Sequence, residues 1–281
     1  MRLVVQGPAI RNQHLAAITH LLPAYRGEQF TQTGQHAFHL PNQQDMVDEV
    51  RNFCAAERID CAWVNDRHTL RNIGLVVMDM DSTLISIECI DEIADMCGLK
   101  PQVAKITERA MQGEIDFAES LKRRVSLLAG LDEAALQKVV NERLQLNPGA
   151  LEWIAACKQH GIKTMLVSGG FDFFASQVQA MTGLDEVRAN QLEIINGKLT
   201  GHVLGHIVDA QAKADFLTSL GQELGLRQDQ IIAIGDGAND LKMMSAAGAG
   251  VAYHAKPVVQ AQASYALNYT GLDGLIHLFT T

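Results

Sequence analysis

Short apolar runs and helical stripes alternate along the chain, and the order in which they do so divides it. Up to about residue 65 the pattern predicts strand 3–6, helix 12–22, strands 28–32 and 35–40, helix 43–57 and strand 59–64, with Thr33-Gly34 as the tight turn between the middle strands. That βαββαβ order predicts a small ferredoxin-like α+β domain over residues 1–70. The polar stretch 66–72 reads as the linker to a second domain over 71–281.

The second domain opens on Leu75-Val76-Val77-Met78, an apolar run without alternation, as expected for a strand buried on both faces of a parallel sheet. The period then turns helical and stays so, with helices 89–97, 101–111, 117–128 and 133–144 and no intervening strand. A helical block over 86–147, directly after the first strand of a sheet, reads as a cap inserted above the strand ends. Beyond it the α/β pattern resumes: helix 149–160, strand 163–167, a turn at Ser168-Gly169-Gly170, and helix 171–181. Strands 191–195 and 198–203 flank Asn196-Gly197, a strong hairpin signal. Helix 212–224, strand 230–234, helix 240–247 and strands 250–253 and 265–267 complete a Rossmann-like, doubly wound α/β sheet.

Composition narrows the class. Of 281 residues 47% are hydrophobic and 20% charged, and the net charge is -9, which argues against a nucleic-acid partner. No apolar run reaches the roughly 18 residues of a membrane span, and no signal-peptide core precedes the first strand, so a cytoplasmic protein is expected. Cys54, Cys61, Cys89, Cys97 and Cys157 form no CxxC pair, which suits a reducing compartment and speaks against zinc and disulfides.

Three strands end in polar residues followed by small ones: Asp79-Met80-Asp81-Ser82-Thr83, Ser168-Gly169-Gly170 and Gly235-Asp236-Gly237-Ala238-Asn239-Asp240. One sheet brings those ends together, where open α/β sheets place their ligands. Asp79 and Asp81 lean to the same side while the chain stays extended, and two such carboxylates need a cation or a shared proton between them. Small residues admit phosphate oxygens to backbone N–H groups while carboxylates hold Mg²⁺, so the expected site handles phosphoryl groups. There is no GxxxxGK[ST] loop, which leaves covalent attack by a carboxylate on phosphorus as the alternative to a nucleotide cradle.

Bland readings compete at each position. A lone Asp-x-Asp is most often a turn, Asp240 is a good helix cap, and a lysine such as Lys213 usually faces solvent from a helix. Scattered histidines such as His202, His206 and His254 are more often structural than ligands, and Met243, Met244, Cys89 and Cys97 suit packing.

The order and spacing of these motifs resemble the haloacid dehalogenase superfamily of phosphatases: Asp79 to Thr83 matches its DxDxT motif, Ser168 its second motif, Lys213 its third, and Gly235 to Asp240 its GDGxND motif. Glu88, the run Arg123-Arg124-Val125-Ser126-Leu127-Leu128 and the run from Gly250 to Pro257 are similar to the branch that acts on phosphoserine, with no departure from its pattern. The resemblance implies Asp79 as nucleophile and Mg²⁺ ligand, and Asp81 as general acid and then base, offering its backbone carbonyl to the metal. It implies Asp236 as a further metal ligand with Asp240 close behind. Ser168, Gly169, Gly170, Lys213 and Asn239 would hold the phosphoryl group, and Glu88 and Arg124 the ammonium and carboxylate of O-phospho-L-serine. The implied reaction is Mg²⁺-dependent hydrolysis to L-serine and phosphate through an aspartyl-phosphate, the last step of serine synthesis. The alternatives are transfer to an acceptor alcohol such as homoserine, or hydrolysis of another small phosphate ester. Residues 1–70 resemble ACT-type regulatory modules, which implies serine feedback or a homodimer formed through them.

Overall fold

In the computed structural model, which describes residues 1–23, 25–43 and 46–280, the strands fall into two sheets. The smaller is antiparallel, with order β2-β3-β1-β4, built from β1 (Arg2–Gln6), β2 (Thr31–Gly34), β3 (Ala37–Leu40) and β4 (Asp60–Val64). With helices α1 (Asn12–Leu21) and α2 (Asp48–Ala56) this is the expected ferredoxin-like order. Residues 44 and 45 of the predicted helix 43–57 lie outside the described residues; the helix that is described starts at Asp48.

The two faces of the small sheet take different partners. Leu3, Val5, Leu40 and Trp63 pack with Ile18, Val50 and Cys54 of the helices, whereas Val4, Ala62 and Val64 belong to the main core beside Tyr265 and Phe279. Period-two alternation therefore covers both faces with apolar contacts. Within the stretch 66–72, His68, Thr69 and Leu70 are buried, and Leu70 N donates to Phe279 O at 2.9 Å. These side chains and backbone groups are used by the joint between the sheets.

A second difference concerns Gly34. The strand runs through it and the turn falls at Gln35-His36, with a register shift between Gln32 and Gly34. A side chain at Gly34 would strike the His277 imidazole, so the glycine serves close approach rather than the turn.

The larger sheet has the order β11-β10-β9-β5-β6-β7-β8. Its strands are β5 (Leu75–Met78), β6 (Lys163–Phe171), β7 (Glu186–Ile195), β8 (Lys198–Leu204), β9 (Ile231–Gly235), β10 (Ala249–Tyr253) and β11 (Tyr265–Leu267). All neighbours are parallel except the β7-β8 hairpin, whose Asn196-Gly197 turn has φ of 52° and 75°, as a type I′ turn requires. β5 lies between β6 and β9 and all four of its residues are buried, as its unbroken apolar run demands. Helices α7 (Ala150–Gln159), α8 (Asp172–Thr182), α9 (Ala210–Glu223), α10 (Leu241–Ala246), α11 (Pro257–Gln260) and α12 (Gly274–Phe279) accompany the sheet. Two apolar clusters, one containing Val76 and Met78 and the other Leu75 and Val77, show that β5 is covered on both faces.

The insertion is helical: α3 (Cys89–Met96), α4 (Lys100–Met111), α5 (Phe117–Ser126) and α6 (Ala134–Glu142). Its two ends are stitched together, with Ser86 N donating to Gln145 O at 2.9 Å, Asn147 N to Leu84 O at 2.9 Å, and Asn147 Nδ2 to the carbonyls of Thr83 and Ile85. The block thus leaves and rejoins the sheet at one point, directly beside Asp79 to Thr83.

Candidate active site

The site grows from the end of β5. Asp79 keeps an extended backbone (φ -70°, ψ 162°), its N–H bonds Ile234 O at 3.0 Å, and its Oδ1 accepts from Met80 N at 2.7 Å. Asp81 is again extended (φ -63°, ψ 133°), and the chain reverses at Ser82, which takes a left-handed φ of 58°; the turn closes with Ile85 N on Met80 O. Strain at a non-glycine residue beside a carboxylate pair is a common mark of a functional segment.

Lys213 comes in from α9, whose start Asp209 caps by accepting from Ala212 N at 2.9 Å. Its Nζ lies 2.8 Å from both Asp79 Oδ1 and Asp240 Oδ1, with only 1% of the residue exposed. This is no surface lysine. Burial opposes its charge, but Asp79 and Asp240 outweigh burial and hold the ammonium above the usual lysine range. Asp240, fully buried, also accepts from Gly237 N at 3.1 Å through Oδ2, so both of its oxygens are occupied. A side chain at Gly235 would occupy the space of the Asp240 carboxylate, which explains the glycine at the end of β9.

Carboxylate oxygens of Asp79, Asp236 and Asp240 lie within 4.8 Å of one another, the one such cluster of metal-binding side chains among the described residues. Three carboxylates against one ammonium leave an excess of two negative charges when all are ionised. Burial, and then the neighbouring Asp79, push the Asp240 carboxyl up to about 7 and raise that of Asp236 as well. A divalent cation is the charge that relieves such a cluster, and an all-oxygen donor set suits a hard one. Thr83, fully buried, donates from Oγ1 to Asp236 Oδ1 at 3.2 Å and so fixes that carboxylate from the segment that follows the neighbouring strand β5. No role for Thr83 was legible beyond its place in the motif.

Asp81 turns away from this cluster toward the second strand end. A Cβ at Gly170 would lie 3.0 Å from both Asp81 Oδ2 and Ser168 Oγ. Asp81 Oδ1 is buried without a hydrogen-bond partner. Burial first, then the charges of Glu88 and Asp79, hold this carboxyl well above the usual range, which favours its protonated form. Ser168 is buried at the edge of the same space, its Oγ accepting from Gly170 N at 2.8 Å. The expected strand-to-helix turn at Ser168-Gly169-Gly170 takes a different form: these residues continue β6 as an irregular extension to Phe171, and α8 starts at Asp172. A register shift between Val167 and Phe171 turns the three residues out of the regular ladder toward the site.

Asn239 places Nδ2 3.5 Å from Asp79 Oδ2. Glu88, just before α3, accepts from Ser82 Oγ at 2.7 Å; burial, opposed by that bond, raises its carboxyl, with Asp236 and Asp79 adding to the rise. Arg124 on α5 is half-buried, its guanidinium pKa lowered by burial while Asp91, Glu88 and Asp81 act in the other direction. All nine candidate side chains or backbone segments and both further acids thus gather around the carboxyl ends of β5, β6 and β9 and the cap above them. Of the histidines set aside, His202 bonds Thr200 and His254 bonds Thr270 O; neither joins the acidic cluster.

The sequence profile of the haloacid dehalogenase-like hydrolases matches residues 76–245. The chain belongs to that family. It is similar to the phosphoserine phosphatase of Vibrio cholerae serotype O1, at 47% identity over 232 residues, 83% of this chain and 70% of the relative. It also resembles the unliganded crystal structure of a probable phosphoserine phosphatase from Vibrio cholerae: TM-score 0.88, 40% identity, 99% of this chain and 86% of the other. A solved phospho-aspartyl intermediate analogue of phosphoserine phosphatase superposes with TM-score 0.65 and 38% identity over 70% of this chain and 93% of its own. Among the described residues no helix is long and apolar enough to cross a membrane.

Proposed function

We propose that this protein hydrolyses O-phospho-L-serine to L-serine and phosphate through an aspartyl-phosphate on Asp79, with Mg²⁺ as its metal. The observation that carries the reading is the division of labour at the strand ends. Asp79 and Asp81, two residues apart, sit in different electrostatic settings: Asp79 Oδ1 lies 2.8 Å from the Lys213 ammonium, while burial and the charges of Glu88 and Asp79 raise the Asp81 carboxyl and favour its acid form. Asp79 attacks phosphorus; Asp81 gives its proton to the departing seryl oxygen, then takes one from the water that cleaves the acyl phosphate. Atoms balance over the two steps, and Asp81 ends protonated as it began.

Asp79, Asp236 and the backbone carbonyl of Asp81 would hold Mg²⁺, with Asp240 fixing Lys213 and the Gly237 loop behind them. When bound, the ion would neutralise the excess charge of the cluster and offset the negative charge of the phosphoryl oxygens. Ser168, the backbone at Gly169 and Gly170, Lys213 and Asn239 receive the remaining phosphoryl oxygens, where negative charge is spread in the transition state.

Every phosphomonoester offers the same PO₃ group, so selection falls to Glu88 for the ammonium and Arg124 for the carboxylate of the substrate. Both sit on residues 86–147, which act as the cap; residues 1–70 and 71–281 are the units to which we assign regulation or pairing and catalysis. A homodimer through residues 1–70 is part of this proposal, and a monomer mass by light scattering would remove it.

The test is phosphate release from a panel of phosphate esters with and without Mg²⁺. O-phospho-L-serine should be turned over fastest and only with the metal; another ester turned over faster would overturn the substrate, and undiminished release in chelator would overturn the metal.

A further inference from the structure

Asn190 on β7 lies outside every motif described above, and only 1% of it is exposed. Its Nδ2 donates to Gly169 O at 2.9 Å and its Oδ1 accepts from Val208 N at 2.8 Å. A carbonyl can only accept and an N–H can only donate, so the orientation of the amide is fixed by its partners. Asn is short enough to fit and carries one donor and one acceptor on a single planar group.

Both bonds end on backbone that the chemistry uses. The C=O of Gly169 and the N–H of Gly170 belong to one planar peptide unit, so holding the oxygen sets the direction of the N–H. That N–H donates to Ser168 Oγ. A hydroxyl oxygen engaged as acceptor there directs its own hydrogen elsewhere, and the space it faces is shared with Asp81. Two consecutive glycines have little intrinsic preference for one orientation, and a side chain on either would collide, with the Phe117 ring at Gly169 and with Asp81 and Ser168 at Gly170. The plane therefore needs an external anchor. At its other end the same amide holds Val208, next to the Asp209 cap of α9, the helix that delivers Lys213.

We propose that Asn190 is a positioning residue for phosphoryl transfer: its buried amide locks the Gly169–Gly170 peptide plane so that Ser168 presents its hydroxyl hydrogen to the phosphoryl group, and it ties that plane to the start of the Lys213 helix. The proposal rests on the phosphatase reading above.

A double-mutant cycle with Ser168 tests it. N190A should lower kcat on the order of 10-fold to 100-fold, with KM within about threefold, because the misplaced hydroxyl matters most where charge develops. In an S168A background the same substitution should cost at least about threefold less than in the parent, since its route through the Ser168 hydroxyl is already gone and only the tie to the Lys213 helix remains. Equal losses in both backgrounds, or an unchanged kcat in N190A, would overturn the proposal. N190D gives an independent readout and decides the matter should N190A not fold. It keeps the acceptor for Val208 and regains a donor for Gly169 only when protonated, so its kcat relative to the parent enzyme should rise as pH falls. A flat ratio contradicts the assignment. If the parent enzyme proves to prefer another ester, the cycle run on that ester still reads Asn190, so failure of the substrate assignment and failure of this one are told apart.

Discussion

The floor of the site and its roof are both charged, but they are built differently. On the floor, Asp79, Asp240 and Lys213 are buried, with both carboxylates bonded to the Lys213 ammonium at 2.8 Å, and rooted in the ends of β5 and β9 and the first turn of α9. In the roof, the Glu88 carboxylate is held by one hydroxyl, and Arg124 is half-buried with no ion pair within 4.0 Å among the described residues. The floor is preorganised for a group that never varies, the phosphoryl. On the proposed reading, the roof keeps its charges for groups that only the right substrate brings. The stitched segments around Asn147 join them at one place, and backbone bonds from Gly130 N to Leu199 O, Glu133 N to Gly197 O and Leu199 N to Leu131 O tie the cap to the β7-β8 hairpin at another.

Substitutions should separate the two regions, and the largest effect belongs to the floor. D79N retains the shape but not the nucleophile, and phosphate release should fall by at least about 10³-fold while circular dichroism stays native. Release near the parent rate would break the covalent route. K213M removes the counter-charge from two buried carboxylates; activity should fall about 10²-fold to 10³-fold, with a destabilisation of about 3 kcal/mol or more by denaturant unfolding. In the roof, E88Q should lower kcat/KM for O-phospho-L-serine about 10-fold to 100-fold and leave an aryl phosphate within about threefold. Equal losses on both would put Glu88 in the floor's class.

The smallest and most gradual effect is with pH. The Asp81 carboxyl is raised by burial, Glu88 and Asp79, so its acid form persists to a higher pH than in an exposed aspartate. As pH climbs through that raised value the proton for the leaving oxygen is lost, and kcat/KM should decline on the alkaline side. E88Q, by removing one of the charges that raise it, should shift that decline toward lower pH; an unmoved profile would uncouple roof from floor.

Much of the floor was legible in the sequence because one physical pattern marks it: a run of residues apolar on both faces, then abruptly acidic. Asp79, Asp81 and Asp236 each follow such a run. Lys213 was not legible that way, since a lysine on an amphipathic helix looks solvated, and only resemblance to the family pointed inward. Gly34 misled because turn and close approach demand the same residue, and His277 lies far along the chain. The joint between the sheets was hidden for a similar reason. Asp60 accepts from the N–H groups of Asn268, Tyr269 and Thr270, and Arg2 donates to His68 O and Leu278 O, pairings that no local periodicity records. Thr83 and Asn190 escaped because their contacts are between strand ends, not along a strand.

The most direct test of the central claim is to quench the enzyme during turnover of O-phospho-L-serine and locate the phosphoryl group by mass spectrometry of the peptide carrying residues 75–85. One phosphoryl group on Asp79, removed by hydroxylamine, is the predicted result. Steady turnover with that peptide unmodified, or with the group on Ser82 or Thr83, would contradict it.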